Sequence, residues 1–264
     1  MWRKIRSKFV MNIIFRNLKK RKELNLVKYN KKLVDKLNIK KKDFENFIFL
    51  KELNQKYSLN IKDIEILELN LRNKKIGNKI FENLKKIEFK KIIELDLSWN
   101  KIPEINGLEI TQFNKLEILN LNGNKIKDIN SSEKVNFKNL KYLILSNNNI
   151  SDITVLSKVK FEKLEELNIE RNNIFDIKII EKVNFKELKI LKLGENIISN
   201  IKSLEYFEFP KLELLELNNN EVSDIDCFEK VKFKELKKLS LYFNNISDIS
   251  ILEKVNFHKL ESLL

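Results

Sequence analysis

A chain of 264 residues is long enough for one large domain or a quasi-linear array, and its four glycines and two prolines leave no flexible linker dividing it into separate globules. The single cysteine, Cys227, excludes an internal disulfide and a zinc site built on several cysteines, and no run of about 18 unbroken apolar residues marks a membrane span. The formal charge of +14 sits at one end: residues 1–63 carry 19 basic and 6 acidic side chains, whereas 64–264 carry 33 and 32, so any reading as a polyanion binder applies to the N-terminal segment alone.

Met1–Lys22 is basic, but its apolar run Phe9–Phe15 is short and no small-residue cleavage site follows. No signal peptide is read, and an intracellular protein, cytoplasmic or nuclear, is expected. Residues 1–63 predict helices: Trp2, Ile5, Phe9, Ile13 and Ile14 fall at helical spacing, then Leu24, Val27 and Leu33, then Phe44, Phe47, Leu50 and Leu53. This basic helical segment is expected to cap the first strand of the array that follows. Lys19, Lys20, Arg21 and Lys22 form a basic patch suited to phosphate, as a nuclear-import signal or a nucleic-acid contact. The cationic, amphipathic first helix gives association with an anionic membrane as a further alternative.

Residues 64–264 repeat. Asparagine recurs every 24 residues at Asn100, Asn124, Asn148, Asn172, Asn196, Asn220 and Asn244, and phenylalanine keeps the same step from Phe89 to Phe257. Each asparagine closes a frame L-x-x-L-x-L-x-x-N, as in Leu116, Leu119, Leu121 and Asn124. Alternating leucines put one side of a short strand into a core and the other toward solvent. The asparagine amide is expected to bond backbone groups of its own and the adjacent coil, because leaving such groups buried and unsatisfied costs about 1–3 kcal/mol each. Asp128, Asp152, Asp176, Asp224 and Asp248, with Ser151, Thr154, Ser247 and Ser250, fall where a helical segment begins and are expected to cap it. The phenylalanines predict a spine beneath the return segment. The first coil is irregular, with Lys74 in the asparagine place. The last frame stops at Leu264, which is expected to mark a truncated ninth repeat; otherwise its exposed strand is expected to pair with another chain.

This spacing resembles the leucine-rich repeats of the internalin-like and phosphatase-regulatory types. The resemblance implies an α/β fold: a curved solenoid of eight repeats and a partial ninth, with a parallel sheet on the concave face, short helical segments on the convex side and a helical N-terminal cap. It also implies non-catalytic binding of a protein partner on the concave strands. The chain departs from those types in its longer repeat and in the fixed V-x-F before each frame, as at Val135 and Phe137. Within the N-terminal segment, Val10–Leu33 resembles a degenerate F-box through Ile14, Phe15, Leu18, Leu24 and Val27, without the leading Leu-Pro and the later Trp. That second resemblance implies a substrate-recognition adaptor of a ubiquitin ligase.

Chemistry-bearing clusters are missing from the pattern. No glycine-rich phosphate loop, nucleophile elbow or metal-ligand set is present, His258 reads as a solvated substitution and Cys227 as a packed thiol, so neither an enzyme nor a cofactor is expected. Binding has an address, because the third, fifth and seventh frame positions face the concave side. The third holds Ile118, Tyr142, Ile190 and Leu214, interrupted by Glu166; Ile144 lies at the fifth and Tyr242 at the seventh. Lys192, Glu216, Glu170 and Arg171 are expected to surround this track, with Trp99 and Phe243 toward its two ends. Apolar and aromatic anchors inside a charged rim are what protein interfaces use.

Overall fold

The computed structural model describes residues 41–111, 113–135, 137–255 and 257–264. The predicted helices before residue 41, the F-box-like Val10–Leu33 and the basic patch Lys19–Lys22 lie outside the described residues. The chain divides into two compact units, 1–61 and 62–264. In the first, helix α1 (Lys41–Tyr57) forms where the apolar spacing predicts it, with Leu50, Leu53 and Tyr57 buried at i, i+3 and i+7. The side chain of Asn54 then holds the chain leaving the helix, donating to the Ile61 carbonyl at 2.8 Å and accepting from its N–H at 3.0 Å.

The second unit is one parallel sheet of nine strands in sequential order. The strands are β1 (Glu68–Asn70), β2 (Glu94–Asp96), β3 (Ile118–Asn120), β4 (Tyr142–Ile144), β5 (Glu166–Asn168), β6 (Ile190–Lys192), β7 (Leu214–Glu216), β8 (Lys238–Ser240) and β9 (Ser262–Leu263). Each coil climbs one strand, so the 24-residue period puts identical frame positions directly opposite one another: Leu119 faces Leu143, which faces Leu167. These leucines are buried, as are the spine residues Phe89, Phe113, Phe137, Phe161, Phe185, Phe209 and Phe233. No coil can bury its own apolar faces, and stacking supplies the core.

The asparagine ladder is present. In Asn172, Nδ2 donates to the carbonyls of Ile169 (3.0 Å) in its own coil and Leu145 (3.1 Å) in the previous one, while Oδ1 accepts from Ile150 N–H at 2.9 Å. Asn124, Asn148, Asn196 and Asn220 repeat the arrangement. At the irregular first coil, where Lys74 replaces the asparagine, Asn100 takes up the slack: its Oδ1 accepts from both Lys74 and Ile76 N–H.

The short helical segments expected on the return side are present, mostly as single 3-10 turns such as Thr154–Ser157 and Lys178–Lys182. Among the described residues of this unit an α-helix, α2 (Lys79–Leu84), occurs only in the coil whose strand-to-strand step, Glu68 to Glu94, is 26 residues, where the two extra residues accommodate it. One expectation is corrected: the turn amides are satisfied by the aspartates, and by Asn200 in the coil where it replaces one, and not by the Ser or Thr oxygens. Oδ1 of Asp128, Asp152, Asp176, Asp224 and Asp248 accepts from the N–H two residues on, at 2.6–2.9 Å. Thr154 and Ser250 supply N–H groups to those bonds, and the exposed Ser151 and Ser247 do not cap.

The residue before each ladder asparagine adopts left-handed backbone: Trp99, Gly123, Asn147, Arg171, Glu195, Asn219 and Phe243 all have φ between 50° and 68°. A bulky residue tolerates this only where its surroundings fix it. Here the ladder does so, because the N–H of Trp99 donates to Asn122 O at 2.7 Å. Gly123 is special for a second reason: a Cβ there would lie 2.8 Å from the Trp99 ring. Gly123→Ala is therefore expected to destabilise the array by about 1–3 kcal/mol, read by urea unfolding. In a Trp99→Ala background the same change should cost measurably less; an equal cost in both backgrounds would assign the effect to the backbone alone.

Candidate functional site

The side of the sheet facing away from the leucine core carries three rows, each set by strand register. The third-position row runs Glu68, Glu94, Ile118, Tyr142, Glu166, Ile190, Leu214, Lys238 without a break. From Glu94 to Leu214 its members are half-buried. The apolar track expected from sequence thus exists, but in two pieces: Ile118 and Tyr142, then Ile190 and Leu214, divided by Glu166. The fifth-position row runs Asn70, Asp96, Asn120, Ile144, Asn168, Lys192, Glu216, Ser240. In it Asp96, Asn120 and Asn168 each accept from the N–H two residues on, at 2.8–3.1 Å. Ile144 has no acceptor for this and forfeits the bond, worth about 1 kcal/mol, while presenting a half-buried aliphatic side chain beside Tyr142. The seventh-position row contributes Ser98, Asn122, Ser146, Glu170, Gly194, Asn218 and, near the C-terminal end, Tyr242.

The charged residues separate into paired and unpaired. Lys192 pairs with Glu216 at 3.7 Å and Arg171 with Glu195 at 2.7 Å. Glu94, Glu166 and Glu170 form no ion pair among the described residues. Burial is the main cause of a raised pKa in all three carboxyls. At Glu94 the neighbouring Glu68 and Asp96 add to it; at Glu166 Glu216 adds and Lys192 opposes; at Glu170 Glu216 adds, Lys192 opposes, and the Asn168 hydrogen bond lowers it further. A carboxyl whose folded-state pKa is raised costs the fold while ionised, and that cost is relieved as the pH falls through the raised value. Each of these glutamates is an electrostatic liability at neutral pH.

Trp99 and Phe243 stand at opposite ends of the array, on β2 and β8 coils, and do not share a site. Trp99 is 48% exposed and Phe243 77% exposed; the latter meets Tyr242 edge to face at a centroid distance of 5.4 Å. His258 is exposed. Cys227 is buried, and burial pushes its thiol up to about 12, so it is a packed group with no nucleophilic character. No metal-competent cluster and no helix long and apolar enough to cross a membrane occurs among the described residues.

Two features escaped the sequence reading. Phe175 and Tyr206 are 61% and 60% exposed and flank an open depression of about 510 Å³ lined by Asp176, Lys178, Asn200 and Lys202. Their signal was their failure to repeat: Phe175 stands where Ser151, Ser199, Ser223 and Ser247 sit, and Tyr206 where Lys158, Lys182 and Lys230 sit. The second is a row of ion pairs along the strand entrances. Lys141–Glu117, Lys189–Glu165 and Lys237–Glu213 close at 2.7 Å, and two residues earlier in the frame Lys211–Glu187 and Lys259–Glu235 close at 2.6 Å. The sequence carries them as alternating K-L-E and E-L-K, a pattern with twice the repeat period.

Comparison with known proteins agrees with this architecture. Family models for leucine-rich repeats match residues 138–182, as two copies, and 114–129, as a single repeat. No curated protein sequence shows significant similarity. Among solved structures, internalin C2 of Listeria monocytogenes is similar with a TM-score of 0.65 at 23% identity, over 82% of this chain and 91% of that one. Listeria monocytogenes InlP is similar with a TM-score of 0.65 at 18% identity, over 81% of this chain and 61% of that one. The PEPR1–AtPEP1 structure matches with a TM-score of 0.52 at 20% identity, over 69% and 25% of the two chains. Repeat frame, asparagine ladder, sequential parallel sheet and these matches converge on one architecture: the chain has the leucine-rich-repeat fold, and residues 114–129 and 138–182 match the leucine-rich-repeat family models.

Proposed function

We propose that the chain is a non-catalytic recognition solenoid, residues 64–264, which takes a protein partner on its concave face, with residues 1–63 as a basic helical cap. The observation that carries this is Ile118, Tyr142 and Ile144: three half-buried apolar side chains on adjacent strands on the solvent side of the sheet, with Ile144 at the position where β2, β3 and β5 supply Asp or Asn to close a local turn. Apolar anchors of this kind within a polar surround dominate protein interfaces. The convex depression at Phe175 and Tyr206 lacks such a packed apolar base.

The test is a double variant, Tyr142→Ala with Ile144→Asp, in the full chain. Photo-crosslinking from Asn120 identifies the partner in cells of the source organism, and titration calorimetry compares the two proteins. Loss of two anchors at an interface centre is expected to weaken binding by at least about 30-fold. The fold should survive, since an aspartate at 144 can accept from Ser146 N–H as Asp96 does from Ser98. Unchanged affinity for the crosslinked partner would place recognition elsewhere.

A further inference from the structure

The carboxylates of the array fall into two sets. On the strand entrances and the rim, Glu117, Glu165, Glu187, Glu195, Glu213, Glu216 and Glu235 each have a cation within 2.6–3.7 Å. On the concave face Glu94 and Glu166 have none among the described residues, although both are half-buried. They occupy the same frame position and bracket the first apolar piece: Glu94, Ile118, Tyr142 and Glu166 are successive members of one register row. Glu94 also lies directly opposite Glu68 and near Asp96, whose Oδ1 is already used by Ser98 N–H. Like charges facing each other across strands destabilise a sheet.

We infer that the partner segment this face accepts is extended and carries a basic–x–apolar–x–basic pattern, its two cations meeting Glu94 and Glu166 and its central side chain seated over Ile118, Tyr142 and Ile144; this deepens, and rests on, the concave-face reading above. The spacing fixes the pattern. Three inter-strand steps of about 4.8 Å separate the two glutamates by about 14 Å, and an extended chain rising about 3.3 Å per residue covers about 13 Å in four residues. Residues i, i+2 and i+4 of such a segment point to one side, so cation, apolar anchor and cation meet glutamate, apolar pair and glutamate in turn. A partner covering this face strips water from both carboxylates. An apolar or acidic segment would leave them buried without a counter-charge, at a cost that a basic segment avoids. Glu170 adds a third unpaired carboxylate on the Glu166 side. The pKa values of Glu94, Glu166 and Glu170 are raised chiefly by burial; at Glu166 and Glu170 the charge of Lys192 opposes the rise without closing an ion pair, so their neutralisation is incomplete.

The probe is a display library of random 13-residue peptides selected against the full chain, with binders remeasured against three variants, Glu94→Gln, Glu166→Gln and Tyr142→Ala/Ile144→Asp. The expected result is enrichment of Lys or Arg four residues apart around a Leu, Ile, Val or Phe. Each of Glu94→Gln and Glu166→Gln should then weaken binding about tenfold, and affinity should fall as salt is raised. Both substitutions remove a liability, so neither should lower the unfolding midpoint. Binders that lose affinity with Tyr142→Ala/Ile144→Asp but ignore Glu94→Gln and Glu166→Gln overturn the basic pattern and leave the concave-face reading standing. Binders indifferent to all four changes overturn both, and a selection that yields no binder overturns the extended basic segment.

Discussion

Asn172→Ala should lower the unfolding free energy by about 3 kcal/mol, because it removes one rung of a ladder, bonded to its own coil and the previous one. The bookkeeping of partners explains the size. The carbonyls of Leu145 and Ile169 each retain a second donor, Asn148 Nδ2 and Asn196 Nδ2, so neither is orphaned. Ile150 N–H has only Asn172 Oδ1, at 2.9 Å, and becomes a buried donor with no acceptor. That loss, together with the space left by the amide, is what urea unfolding followed by circular dichroism should read. The neighbouring Asn173 is exposed, and Asn173→Ala should shift stability by less than about 0.5 kcal/mol. Asn172→Asp separates hydrogen bonding from shape. One oxygen still accepts from Ile150, but the other is driven against the carbonyls of Leu145, Ile169 and Glu170. This raises the folded-state pKa above its unfolded value, so the deficit should be greatest at neutral pH and shrink as the pH falls through the raised value. A pH-independent deficit, or an Asn172→Ala cost near that of Asn173→Ala, would remove the ladder from the stability account.

Phe185→Ala should cost about 3–5 kcal/mol, the range for deleting a fully buried phenylalanine. Phe185 is 2% exposed at mid-array, with coils on both sides, and cannot be compensated by water entering from an end. Phe257 occupies the equivalent place at the C-terminal edge of the described array, where it is half-buried against Phe228 at a ring distance of 6.0 Å. Phe257→Ala should therefore cost much less, about 1 kcal/mol. Because each coil contacts its neighbours in turn, the Phe185 change should also broaden the urea transition as the two halves lose their coupling, whereas the Phe257 change should leave its slope unaltered. Equal costs at the two positions would mean that the spine contributes no position-dependent packing.

The charge pairs at the strand entrances show why sequence pattern alone was an incomplete guide. Lys189 and Glu165 lie 24 residues apart and meet at 2.7 Å, yet a search at the repeat period sees only that Lys and Glu do not match. These exposed pairs contribute little stability individually. Their value here is diagnostic, since they mark which carboxylates the fold has neutralised and, by contrast, that Glu94 and Glu166 have been left. The left-handed residues taught a similar lesson. Gly123, Asn147 and Asn219 announce the conformation, but Trp99 and Arg171 conceal it, because backbone hydrogen bonds to the next coil override local preference.

What the sequence determined by itself was the solenoid: the 24-residue spacing of leucine, asparagine and phenylalanine, read as periodicity, assigns each position to core, ladder or surface, and the register of all nine strands follows. It also assigned Ile118, Tyr142 and Ile144 to one face. Only the tertiary structure decided how that face is divided and charged. Whether a glutamate is screened by a lysine, half-buried without one, or set opposite another glutamate depends on side chains from adjacent coils and on the water they exclude. Local periodicity specifies the direction a side chain points, but the neighbours it meets there determine what it can bind.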